Sequence, residues 1–126
     1  MTDKAEVRQL IDAAVSYITS TDWVSFVELA GFAESHGVPT KGDYTIEVFP
    51  NGIIWAGMSE EFCALVKAIQ EDRRVTIDSG DALSYMVDGG ALDLPIAKAA
   101  PRDLARGYAK PRWIVSFLRP ATRVRS

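Results

Sequence analysis

The sequence predicts an α+β fold, and three observations carry that reading. Apolar residues recur at helical spacing in three separate stretches, runs with a period of two follow the second and third of them, and Pro, Gly, Asn and Asp gather where the period changes. The 126 residues, 48% hydrophobic and 25% charged, are read as a single domain over 1–126, long enough to bury one core.

The first stretch, Asp3 to Tyr17, sets Val7, Leu10, Ile11, Ala14, Val15 and Ile18 on one side, with Asp3 and Glu6 spaced as a capping box. Ser20-Thr21-Asp22 then breaks the helix and recaps a second one. Trp23, Phe26, Val27, Ala30 and Ala33 recur there until His36-Gly37-Val38-Pro39 stops it, with His36 in a C-terminal capping role. Next comes a β-hairpin, because Tyr44, Ile46 and Val48 alternate with polar residues, Pro50-Asn51-Gly52 supplies a turn and Ile53-Ile54-Trp55 returns.

The most sharply defined part runs from Met58 to Asp88. Ser59 is placed as the N-cap of a central helix, Glu60 and Glu61 sit at the positive end of its dipole, and Phe62, Leu65, Val66 and Ile69 form its apolar stripe. Cys63, the only cysteine, flanks that stripe and reads as a small core residue. After Arg73 the period becomes two. Val75 and Ile77, then Leu83, Tyr85 and Val87, predict a second antiparallel hairpin about the turn Asp78-Ser79-Gly80-Asp81. Ala91 to Leu94 reads as a short edge strand after Gly89-Gly90, residues 95–112 as a long basic loop, and residues 113–118 as a terminal strand docking on the sheet.

Charge is distributed unevenly. Residues 1–96 carry 6 Lys and Arg against 16 Asp and Glu, whereas residues 97–126 carry 8 against 1, giving −10 and +7 within a net −3. Three uses follow: the basic segment neutralises the acidic body, contacts an acidic protein or a second copy of the chain, or grips nucleic acid through Lys98, Arg102, Arg106, Lys110 and Arg112 with Tyr108 and Trp113 stacking on bases.

Catalysis finds little support. The lone His36 and Cys63 sit at structural positions, Gly89-Gly90 lacks the context of a phosphate loop, and Asp78, Asp81, Asp88 and Asp93 stand at turns where aspartate is expected for backbone reasons. No enzyme activity, cofactor or metal is expected. Nor does any apolar run approach the ~20 residues of a membrane helix, so a cytoplasmic location without membrane contact is expected.

The helical stretch Val24 to Pro39, VSFVELAGFAESHGVP, with the helix and strand run MSEEFCALVKAIQEDRRVTIDSGDALSYMV after it, resembles the winged-helix family in the order of its elements. The likeness covers about the first seventy per cent of the chain. It differs by the hairpin at Thr40–Gly57 in place of a short turn, and by Glu60, Glu61 and Glu71 where a DNA-reading helix carries Arg, Lys, Asn or Gln. WAGMSEEF and KPRWIVSFLRP resemble the phrases of a small bacterial or phage family. The resemblance implies a docking or regulatory module. The leading expectation is therefore a non-enzymatic adaptor meeting a protein partner through Glu60, Glu61 and Glu71; the alternative is a nucleic-acid-binding transcriptional regulator using the basic segment.

Overall fold

Two apolar helical stripes and an alternating run need a common surface to cover them, and the fold supplies it with two small sheets packed under three helices. The computed structural model describes residues 4–121. Its elements are α1 (Lys4–Thr21), α2 (Phe26–Ser35), β1 (Lys41–Phe49), β2 (Gly52–Met58), α3 (Glu60–Gln70), β3 (Val75–Ser79), α4 (Leu83–Val87), β4 (Arg112–Trp113) and β5 (Ser116–Pro120). The class is α+β, and two helices, a hairpin, a central helix and a terminal strand follow in winged-helix-like order.

The caps explain where the helices begin. Ser25 Oγ accepts from the Glu28 N–H at 3.0 Å while Glu28 Oε1 accepts from the Ser25 N–H at 3.1 Å, a reciprocal capping box. The second helix is thus capped three residues later than Ser20-Thr21-Asp22 suggested, because α1 continues to Thr21. Asp22 and Trp23 then take φ values of 61° and 49° to turn the chain. Trp23, expected in the apolar stripe of α2, stands before that helix and is 46% exposed. The expected Asp3–Glu6 capping box involves Asp3, which lies outside the described residues. His36 is the C-cap of α2, its N–H bonded to the Ala33 carbonyl and its ring tilted over Phe32 at 4.3 Å.

Ser59 caps α3 by accepting from the Phe62 N–H at 2.9 Å, and Phe62, Cys63, Leu65, Val66 and Ile69 are all buried. That helix packs on α1 and on both sheets. One sheet has the order β1-β2-β4, with β1 and β2 antiparallel and β2 and β4 parallel; the other pairs β3 with β5 antiparallel, from Val75 opposite Pro120 to Ser79 opposite Ser116.

The antiparallel partner of β3 is therefore the terminal strand, and Leu83–Val87 forms the short helix α4 instead of a second hairpin arm. β5 takes one edge of β3, and residues 81–88 satisfy their own backbone. Asp81 Oδ1 accepts from the Leu83 N–H at 2.9 Å, and the Met86 and Asp88 amides reach back to Ala82 and Ser84. Ala91–Leu94, expected as an edge strand, has no strand partner among the described residues. The expected terminal strand over 113–118 is divided: Trp113 belongs to the first sheet, and the chain crosses through Ile114 and Val115 into the second. A single apolar run thereby joins both sheets.

Tyr85 lies at their junction. It is fully buried, its ring 5.0 Å from Trp113, 5.2 Å from Phe117 and 5.3 Å from Trp55, and its hydroxyl accepts from the Phe26 N–H at 3.0 Å while donating to the Ser116 carbonyl. Burial pushes its pKa well above the usual tyrosine value. At the other end of α3, the Asp72 carboxylate accepts from the Arg74 backbone N–H, Nε and a terminal guanidinium nitrogen at 2.8–2.9 Å, and that same guanidinium reaches Asp12 of α1. These hydrogen bonds, those from the Arg74 side chain first, hold the Asp72 pKa down at about 2.

Replacing Tyr85 by Phe should keep the ring packing but strand a buried amide and a buried carbonyl, lowering stability by about 1–3 kcal/mol in urea unfolding. For Asp72 the folded pKa is depressed, so its contribution is present above the ordinary carboxylate value of about 4 and is lost as pH falls towards about 2. Asp72→Asn should accordingly flatten the loss of stability over that interval; an unchanged acid slope in chemical denaturation would contradict the assignment.

Candidate binding surfaces

The segment from Lys98 to Arg112 is held as a closed loop. At its base the Ala97 N–H donates to the Trp113 carbonyl at 2.8 Å and the Trp113 N–H to the Pro95 carbonyl at 2.8 Å, so the two ends of the loop meet as in an Ω-loop. Asp103 turns the middle of the loop by accepting from the Ala105, Arg106 and Gly107 amides. Tyr108 anchors it: its N–H donates to the Pro50 carbonyl, its own carbonyl accepts from Asn51 Nδ2 at 2.9 Å, its hydroxyl donates to the Ala99 carbonyl, and its ring meets Phe49 edge-on at 5.3 Å. The loop is thus tied to the turn between β1 and β2. Gly107 allows that approach, since a Cβ there would lie 1.9 Å from the Pro50 oxygen and φ is 67°.

Lys98, Arg102, Arg106, Lys110 and Arg112 are all exposed on this frame, and among the described residues none of the five forms an ion pair with a carboxylate. Neutralisation of the acidic body falls to other arginines. Arg119 takes Asp22 through two hydrogen bonds of 2.8 and 3.2 Å, reaches Asp78 at 3.4 Å and lies 3.9 Å over the Trp23 ring. Hydrogen bonding from Arg119 holds the Asp22 pKa below the usual range. The expected stacking surface needs correction: Trp113 is 1% exposed inside the aromatic core, and the Tyr108 ring is engaged by Phe49. What remains exposed on the loop includes the five cations, with Asp103 and Leu104 between Arg102 and Arg106.

The acidic set is arranged differently. Glu60 and Glu61 occupy the first turn of α3 and Glu71 its C-cap, all three exposed. A rise of 1.5 Å per residue separates Glu60 from Glu71 by roughly 16 Å, and Lys67 shares the Glu60 side of the helix between them. Their carboxylates therefore do not converge.

Three of the four aspartates of the third region have local duties among the described residues. Asp78 meets Arg119, Asp81 caps the start of α4 and Asp88 accepts from Ser25 Oγ at 3.3 Å. Among the described residues no group of three His, Cys, Asp or Glu side chains is arranged to hold a metal ion, and no helix is long and apolar enough to cross a membrane.

One surface was not anticipated. Trp23, Leu83, Met86 and Val87 are exposed together beside Glu28 and Asp88. Reading Leu83, Tyr85 and Val87 as one strand face hid it; as a helix, the same residues point Tyr85 inwards and Leu83 and Val87 out. No protein-family model, curated protein or solved structure matches this chain.

Gly107→Ala should detach the loop from the hairpin turn. The expected results are a loss of about 1–3 kcal/mol from positive-φ strain and the contact with Pro50, and faster tryptic cleavage at Arg102 and Arg106 under native conditions.

Proposed function

We propose that this chain is a binding domain without catalytic chemistry and that its basic loop contacts a nucleic-acid backbone. The observation that carries this reading is the set of five exposed cations, none paired with a described carboxylate, displayed on a loop whose ends and centre are tied down. A preformed cationic surface loses little conformational entropy on meeting phosphate, and phosphate contacts release condensed counterions. With Trp113 in the core and Tyr108 engaged, recognition rests on charge and loop shape, with little reading of base sequence. The net charge of −3 disfavours long-range attraction, so binding is local and falls steeply with salt.

Docking of a protein partner by the acidic side of α3 is the second reading, supported by the exposure of Glu60, Glu61 and Glu71. Their separation along the helix and the intervening Lys67 favour the loop as the main site.

Fluorescence anisotropy with duplex and single-stranded DNA at ~50 and ~200 mM salt separates the two. The loop reading expects binding that weakens sharply between these conditions. Arg102→Glu, Arg106→Glu and Arg112→Glu together should lower the salt slope by about three and weaken binding at least about tenfold, whereas reversing the three glutamates should leave it unchanged or tighter. Absence of binding at low salt, or loss of it only in the glutamate variant, would overturn the proposal.

A further inference from the structure

The apolar surface at Trp23 and α4 takes no part in the loop site. Trp23, Leu83, Met86 and Val87 are 46%, 61%, 57% and 78% exposed, which is unusual for four large apolar side chains placed together. Trp23, Leu83 and Val87 line a groove of about 340 Å³ with Glu28, Ser84 and Asp88. The indole is held outwards at a conformational cost. Asp22 and Trp23 both occupy left-handed backbone, and the bonds from Arg119 to Asp22, with its guanidinium over the Trp23 ring, keep them there.

Charge decides what suits this groove. Glu28 and Asp88 line it and Asp81 is exposed at the start of α4, so two such grooves face to face would oppose like charges. The basic loop has the complementary character. Leu104 is 60% exposed in the turn made by Asp103, and Arg102 and Arg106 flank it two residues away on each side.

We propose that the loop of one copy docks into the Trp23–α4 groove of another, Leu104 against Trp23, Leu83 and Val87, with Arg102 and Arg106 opposite Glu28 and Asp88. The two patches differ, so the contact is heterologous and adds copies head to tail until a ring closes. A contact this small gives weak, salt-sensitive association. It stands on the groove and on Leu104; because Arg102 and Arg106 also serve the nucleic-acid reading, the two uses compete, and Val87→Asp separates them by removing the groove while leaving the loop intact.

Sedimentation velocity of the full chain from about 10 to about 500 µM at low salt should show mass growing with concentration and reverting at high salt. Trp23 emission should shift to the blue in parallel, since Trp55 and Trp113 are already buried. Val87→Asp removes the groove, and Arg102→Glu with Arg106→Glu removes the loop; both change exposed positions, and unchanged thermal melts would verify folding. Each variant alone should stay monomeric, while their equimolar mixture retains one intact interface and should form a species that stops at two chains. A wild type that is monomeric throughout, a variant that associates as the wild type does, or a mixture that remains monomeric would each overturn the proposal.

Discussion

The Tyr85 hydroxyl is the polar contact on which the interior depends. It sits where α2, α4 and β5 meet, and it pairs two main-chain groups that have no helix or sheet partner there: the Phe26 amide at the start of α2 and the Ser116 carbonyl at the start of β5. In a buried region an unpaired amide or carbonyl costs about 1–3 kcal/mol, so one side chain removes two such penalties. The surrounding rings give it a single position. Trp55, Trp113 and Phe117 approach at centroid distances of 5.0–5.3 Å, and Phe26 stacks on Trp55 at 5.7 Å.

That cluster also explains why a short terminal run can unite two sheets. Trp113 enters the first sheet beside β2, and three residues later Ser116 enters the second beside β3. Val115 and Phe117 are buried, and Val24 and Leu118 exchange backbone hydrogen bonds that fasten the link between α1 and α2 to β5. The closed basic loop follows from the same placement: once Trp113 is fixed in the core, its carbonyl and amide are available to clasp Ala97 and Pro95.

Five of the described arginines divide into two uses with different electrostatics. Arg74 joins its neighbour Asp72 to the distant Asp12, Arg119 joins the distant Asp22 and Asp78, and both act as ties between elements. Arg102, Arg106 and Arg112 stay solvated on the loop, where they are free to meet an anion from outside. The excess of positive charge after residue 97 is therefore partly structural and partly available. Charge counting along the chain does not separate the two.

The sequence alone determined the elements whose information is local. The stripe at Phe62, Leu65, Val66 and Ile69, the Ser59 cap, the hairpin around Asn51 and Gly52, and the stop at His36-Gly37 all rest on contacts within a few residues, and each is found where expected. Helical spacing also found most of the buried faces of α1 and α2. What only the tertiary structure decided concerns partners far apart in the chain. Leu83, Tyr85 and Val87 alternate as a strand would, yet β3 pairs with β5 from the far end of the chain, and the segment closes its own hydrogen bonds as a helix that turns Leu83 and Val87 outwards. Trp23 and Trp113 carry the same side chain, but one is left outside under Arg119 and the other sealed between the sheets. The five loop cations were legible as residues, and their display was not, because it depends on Tyr108 reaching Pro50 and Asn51 across 57 residues of chain. Hydrophobicity and period specify which residues leave water; only the three-dimensional competition for hydrogen-bond partners specifies what they meet.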